Sequence, residues 1–361
     1  IGEPNFPTPA HVCDAAKQAI DEGFTRYTAV PGIPPLREAI AGYFKRAYGV
    51  DVAPDCTIAS NGGKQSLYNL FAALLNDGDE VLIPSPYWVS YPDMVYLNGG
   101  VPVAVKAPAS QGFKVTVEQL EAALTPKAKI LVFNSPSNPT GACYSVSERD
   151  AIVKWALDRG LFIIADEIYY CLVYDNKPFT SIASLGDDVK AHTILVNGVS
   201  KAYSMTGWRV GYAAGNAALI KGMTSLQGHT TSNTCSIAQY AALEAISGPQ
   251  DSVESMRVEF DKRRKFLVER LNSMDGITCN NADGAFYLMP NMTAFYDKEW
   301  NGKKIADSFG MADYLLAEAK IAVVPGGAFE SPDNIRIAYS NSMESLIEGM
   351  NRMEAALKKL G

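Results

Sequence analysis

A chain of 361 residues is long enough for two packed cores. It is 47% hydrophobic and 20% charged, an ordinary globular balance, and its formal charge of −7 argues against a nucleic-acid groove or an acidic membrane surface. The longest apolar runs are strand-sized, well short of the ~20 residues that cross a bilayer. Six cysteines without a C-x-x-C pair favour reduced thiols and a cytoplasmic location. His11, His192 and His229 form no zinc-binding pattern, so no metal site is expected. No signal peptide is visible, and the opening Ile-Gly-Glu-Pro, without Met, reads as part of a longer chain.

Residues 1–9 hold too many prolines for a helix or a central strand and read as an extended arm. Residues 11–21 follow as an amphipathic helix with Val12, Ala15, Ala16 and Ala19 on one face. Tyr27 lies in Arg-Tyr-Thr-Ala-Val-Pro-Gly, ahead of a helix carrying Leu36, Ile40 and Phe44. Residues 57–60 are a strand, and Asn61-Gly62-Gly63-Lys64-Gln65 turns it into a helix with Leu67, Leu70, Phe71 and Leu74 inside. A glycine turn at a helix start offers free N–H groups and a positive dipole end to an anion. It is not a Walker A loop, because Ala59 stands where that motif needs its first glycine. After a strand over 80–83, the prolines of residues 84–92 rule out a continuing helix, and Trp88 is placed to stack on a flat ring.

Residues 129–133 are a strand whose loop, Asn134-Ser135-Pro136-Ser137-Asn138-Pro139-Thr140-Gly141, leads to a helix. Ser147-Glu148-Arg149-Asp150 resembles its capping box, with Asp in place of Glu or Gln, and Gly160 is its stop. Residues 161–165 form a buried-type strand ending at Asp166-Glu167-Ile168-Tyr169. Strand, helix, strand with short loops is a βαβ unit and implies a mainly parallel sheet, in which ligands bind beyond the carboxyl ends of the strands. Asn138, Asp166, Tyr169 and Lys201 all come from such positions.

Lys201 lies in a loop between strands over 193–196 and 210–214. A lysine in a partly desolvated site loses its proton readily and attacks carbonyls. The commonest aldehyde partner is pyridoxal phosphate (PLP), whose dianionic phosphate suits Arg209. Residues 251–271 carry apolar residues at helical spacing and read as a helix connecting two domains. Short strands and helices follow over 285–289, 311–319, 322–324 and 335–339, with a charged terminal helix from Met343. Arg336, alternating with apolar residues on a strand, is costly on an inner face without an anion.

Gly-Val-Ser-Lys followed by Ser204, Met205, Gly207, Arg209 and Gly211 resembles the lysine signature of class I PLP-dependent aminotransferases of fold type I. The G-E-P-N-F arm, Tyr27 with Gly32 and Leu36-Arg37-Glu38, Pro86-Tyr87-Trp88-Val89-Ser90-Tyr91, N-P-T-G, D-E-x-Y, and the closing segments 322–329 and 335–340 extend the likeness over nearly the whole chain. The resemblance implies a three-layer α/β/α large domain (26–248), a connecting helix (249–272) and a smaller α+β domain (273–361 with 1–25). It implies a Schiff base between Lys201 and PLP, with Lys201 then the base that moves the substrate α-proton. Asp166 would hold the ring nitrogen protonated, and Tyr169 with Asn138 would bond the ring oxygen. Gly63 and Lys64 amides, Arg209, and Tyr27 from a partner subunit would hold the phosphate, Trp88 the ring, and Arg336 beside Gly2 the substrate carboxylate. Catalytic roles fall to Lys201, Asp166 and Tyr169, and a homodimer with shared sites follows. In one aspartate aminotransferase subgroup, a lysine in this G-G-K context meets the distal carboxylate of the substrate. That points to aspartate or glutamate as donor and oxaloacetate, 2-oxoglutarate or prephenate as acceptor. Kynurenine, alanine or aromatic aminotransferases share nearly all these motifs, and a PLP-binding regulatory domain without turnover is the alternative of another class.

Overall fold

The computed structural model describes residues 2–360; Ile1, the start of the expected arm, and Gly361, the end of the expected small domain, lie outside them. The centre is a seven-stranded sheet of β1 (Thr57–Ser60), β2 (Glu80–Ser85), β3 (Val101–Lys106), β4 (Ala128–Asn134), β5 (Phe162–Asp166), β6 (Thr193–Gly198) and β7 (Gly211–Ala214), in the order β1-β7-β6-β5-β4-β2-β3. Pairing is parallel from β3 through β6, and only β7 runs against its two neighbours. The central strands are apolar on both faces, as parallel strands covered by helices must be. Leu131, Ile163 and Leu195 pack into the core on one face, and Ile130, Val132, Ile164 and Ile194 into the core on the other. This is the expected three-layer α/β/α unit.

Local chemistry sets several boundaries differently from the sequence reading. The capping box is Ser145 with Glu148: Ser145 Oγ accepts from the Glu148 amide at 3.3 Å, and the Ser145 amide donates to Glu148 Oε2 at 2.7 Å. Ser147 lies two residues too far in, because Val146 is helical although it is exposed. A helix, Ser90–Tyr96, forms inside the proline-rich stretch. Pro92 falls in its first turn, where a missing N–H leaves no intrahelical bond unmade. Lys201 stands on a one-turn helix, Val199–Ala202, rather than in a loop. Strand β3 has Pro102 at a sheet edge and a single buried side chain, Val105, so it carried no alternation to read.

Beyond the long helix Asp251–Asn272, a three-stranded antiparallel sheet of Val324–Pro325, Ile335–Ala338 and Tyr287–Leu288 packs with the helix Met343–Leu357 around Phe260, Leu271, Tyr314 and Met353. Residues 1–25, expected with this unit, divide between the two cores. Phe6 meets Phe260 edge to face at 5.3 Å, and Asn5 accepts from Arg263 Nη1 at 2.8 Å. Val12 and Ala16 of the helix Ala10–Asp21 instead pack into the first core, where Ser236–Ser247 receives their apolar stripe. Among the described residues, no helix is long and apolar enough to cross a membrane.

Where the two units meet, Gly141 (φ +70°) accepts from the amides of Asp283 and Gly284 at 2.9 and 2.8 Å. A Cβ there would lie 2.5 Å from Ala282 Cβ and 2.8 Å from the Gly284 carbonyl oxygen. Gly23 has a similar φ of +76° with open space around it. Gly23→Ala should therefore cost only the backbone penalty, roughly 1–2 kcal/mol. Gly141→Ala should cost ~1–3 kcal/mol more from overpacking. Urea denaturation of the two variants measures the difference, and equal losses would contradict the close approach.

Candidate active site

The carboxyl ends of β1, β4, β5 and β6 open into a cavity of about 300 Å³. Its lining includes Gly2, Gly63, Lys64, Trp88, Asn138, Asp166, Tyr169, Lys201, Arg209 and Arg336, ten of the eleven positions singled out in the sequence. The eleventh, Tyr27, is not among the lining residues and is 90% exposed.

Lys201 enters from the turn that follows β6. Burial pulls its amine down from the usual value near 10.5 to about 8; Arg209 and Arg336 add to that pull, and Glu3 and Asp166 oppose it. Its Nζ donates to the Gly2 carbonyl, so the arm closes one side of the cavity. Asp166 ends β5 and Glu167 follows, and their side chains part. Asp166 Oδ2 accepts from Tyr91 Oη at 2.6 Å and Oδ1 from the Ile168 amide at 3.3 Å. Glu167 Oε1 instead accepts from Ser181 Oγ and the Ile182 amide. Burial raises Asp166 to about 6, against its hydrogen bonds and the charge of Lys201. A carboxyl so placed gains most from a cation brought close to it.

Two places in the cavity suit anions. At the first, Gly62 (φ +83°) caps the helix Gly63–Leu74, and the amides of Gln65 and Ser66 turn back to the Gly62 carbonyl. Gly63 and Lys64 amides remain as the first-turn donors. Arg209, itself at φ +55°, lies against Gly62 and donates to the carbonyls of Thr206 (2.9 Å) and Asn61 (3.4 Å). A Cβ on Gly62 would strike the Arg209 guanidinium, and one on Gly211 would overlap the Gly63 amide, so both glycines are needed for the cradle. At the second, Arg336 Nη1 donates to Asn138 Oδ1 at 3.0 Å, and its guanidinium lies over the rings of Tyr287 (4.6 Å) and Phe329 (5.0 Å). Its Nε is buried without a partner, a donor short of one acceptor. Between the two places stand Trp88, edge to face with Tyr91 at 5.3 Å, and Lys64, whose Nζ lies 4.8 Å from the Trp88 ring.

Sequence reasoning gave no role to three lining residues. Asn134 joins two strand ends by donating to the Asp166 carbonyl (2.9 Å) and accepting from the Asn138 amide (2.8 Å). Tyr91 holds Asp166, and Tyr287 meets Tyr169 hydroxyl to hydroxyl at 2.7 Å. Tyr91 is the last residue of the Pro86-Tyr87-Trp88-Val89-Ser90-Tyr91 run, which was the available signal; Tyr287 had none.

A buried lysine amine whose charge is disfavoured finds its use in an aldehyde, and the cradle in the same cavity suits an aldehyde that carries a phosphate. Ring stacking, a carboxyl for a protonated ring nitrogen and donors for a ring oxygen can all be met by the residues present, which suits a PLP-dependent enzyme. The family model for aminotransferase class I and II matches residues 1–352. The chain is 48% identical to the aspartate aminotransferase of Geobacillus stearothermophilus, over 98% of this chain and 88% of that protein. It is 49% identical to the aspartate/prephenate aminotransferase of Cereibacter sphaeroides, over 98% and 89%. The crystal structure of the Rhizobium meliloti aspartate aminotransferase superposes with a TM-score of 0.96 at 42% identity, covering 99% of this chain and 90% of that one. The chain belongs to the class I and II aminotransferases, PLP-dependent enzymes that exchange an amino group between an amino acid and a 2-oxo acid.

The lowered Lys201 value has a sign that can be measured. Only the neutral amine attacks an aldehyde. With its value near 8, about one amine in ten is neutral at pH 7, against roughly one in three thousand for an ordinary lysine. The rate at which the cofactor-free protein captures PLP, followed by absorbance, should rise with pH and level off above about 8. A rise that continues toward 10.5 would show that the amine is not desolvated.

Proposed function

We propose that this chain is a homodimeric, cytoplasmic aminotransferase that takes its amino group from aspartate or glutamate and passes it to oxaloacetate, 2-oxoglutarate or prephenate. The observation that carries the reading is the pair of anion sites with Lys64 beside them: Arg336 for the α-carboxylate, with its Nε still unpaired, and Lys64 near Trp88 for a second carboxylate. The names of the relatives support aspartate and prephenate as substrates.

When bound, PLP supplies an electrophilic aldehyde and an electron-accepting ring. The chain supplies the rest. Gly63 and Lys64 amides and Arg209 hold the phosphate, and Trp88 lies along the ring. Asp166, kept in place by Tyr91, holds a proton on the ring nitrogen. Tyr169 and Asn138 donate to the ring oxygen. Arg336 would fix the substrate carboxylate and so turn the α C–H bond toward Lys201, whose amine would take that proton and deliver it to the carbon that had carried the aldehyde. The arm carbonyl of Gly2 closes the cavity above the amine and excludes water. Tyr27, exposed in the single chain, reaches the phosphate of the neighbouring subunit. Residues 26–248 and the unit after helix 249–272 act as two domains that close on the substrate. Six free cysteines support a reducing compartment.

The first test is the absorbance of the PLP-loaded protein on adding L-aspartate without a 2-oxo acid. The long-wavelength band should give way to that of the amino form of the cofactor. A band that answers to alanine, kynurenine or phenylalanine but not to aspartate would give the substrate to the monocarboxylic or aromatic enzymes. A band that answers to none would leave a PLP-binding protein without turnover.

Two substitutions separate the roles. Asp166→Asn should keep PLP but slow α-proton removal, read from the deuterium isotope effect and the single-turnover rate; equal loss of both would contradict the role given to Asp166. Lys64→Ala should raise KM for aspartate about 10–100-fold, the worth of one charged hydrogen bond, and leave KM for alanine nearly unchanged.

A further inference from the structure

Tyr287 lies at the junction of three parts of the site. Its hydroxyl is 2.7 Å from that of Tyr169, its ring supports the Arg336 guanidinium at 4.6 Å, and the Gly2 backbone rests against it. Both tyrosines are buried side chains that line the cavity. In a pair of hydroxyls one proton points between the oxygens and the other is free. If Tyr169 spent its proton on Tyr287, it would have none for the cofactor. The neighbourhood favours the other direction. Burial keeps both phenols protonated, but the Arg336 guanidinium lies over the Tyr287 ring at 4.6 Å and opposes burial more at Tyr287 than at Tyr169, which leaves Tyr287 the better donor.

We infer that Tyr287 is a positioning residue for the reaction: its hydroxyl donates to the oxygen of Tyr169 and thereby aims the Tyr169 proton into the cavity. Hydrogen bonds in such a chain polarise one another, so Tyr169 becomes a stronger donor to the ring oxygen than a lone phenol. The same hydroxyl limits what can stand at Gly2, because a Cβ there would overlap Tyr287 Oη. The arm that closes over Lys201 is thus seated on the group that directs Tyr169.

The inference rests on the role proposed for Tyr169, and one set of measurements separates the two. The pH titration of the absorbance of PLP-loaded protein, without substrate, reads the donor at the ring oxygen directly. Tyr169→Phe should move the midpoint to higher pH. Tyr287→Phe should move it the same way by about half a pH unit, since the worth of one polarising hydrogen bond is a fraction of the whole. Added to Tyr169→Phe, Tyr287→Phe should move it no further. If Tyr169→Phe leaves the midpoint in place, the role of Tyr169 fails and the inference with it. If Tyr169→Phe moves it but Tyr287→Phe does not, or moves it equally in both backgrounds, the inference alone is overturned. A second pair of variants tests the seat of the arm. Gly2→Ala should weaken PLP protection of Lys201 from acylation, and Gly2→Ala with Tyr287→Phe should restore it. Failure to restore would show that the hydroxyl is not what limits Gly2.

Discussion

Burial draws the Lys201 amine down to about 8 while Glu3 and Asp166 pull the other way, and the arrangement of the site follows from keeping that balance. A carboxylate bonded directly to the amine would restore its charge and end its use as a nucleophile. The acids are accordingly occupied elsewhere. Asp166 is held by the Tyr91 hydroxyl and the Ile168 amide, and Glu167 turns to Ser181 and Ile182. The partner given to the amine is a neutral carbonyl, that of Gly2. Two guanidiniums, Arg209 and Arg336, face the same cavity and hold the amine down from either side. Their hydrogen bonds go to neutral oxygens, the carbonyls of Thr206 and Asn61 and the amide of Asn138.

The sheet explains how so many charged groups can share one small cavity. Parallel strands end together, so Asn134, Asp166 and the residues after Gly198 emerge side by side. Their backbones are fixed by the ladder, and the turns that follow need only aim one side chain each. The reversed strand β7 returns Gly211 against the Gly63 amide, so closely that Gly211 tolerates no Cβ. That contact ties the phosphate cradle to the segment that carries Lys201.

Most of this was legible because it is local. A strand end followed by a short polar turn is written in consecutive residues, and Asn138, Asp166, Tyr169, Lys201 and Arg209 all sit in such runs. The glycine turn at 62–63 could be read as an anion site from its own helix start. Tyr91 and Tyr287 could not be given roles, since each works through a partner far away in the chain, Asp166 and Tyr169. Edge strand β3 hid for another reason: a strand with a single buried side chain lacks alternation. The helix Ser236–Ser247, rich in alanine and apolar all round, shows no stripe to mark it. The capping box was misplaced by two residues because one exposed valine hid the true start of a helix.

The two anion sites belong to different parts of the chain, and this has a consequence for how the molecule comes into being. By the time residue 211 has left the ribosome, the cradle, Lys201, Asp166 and Tyr169 have all been made. Arg336 and Tyr287 arrive only with the second core, and the arm at Gly2, among the first residues made, must wait for them to find its seat. The residues around Lys201 thus all precede, in order of synthesis, those that complete the cavity around Arg336.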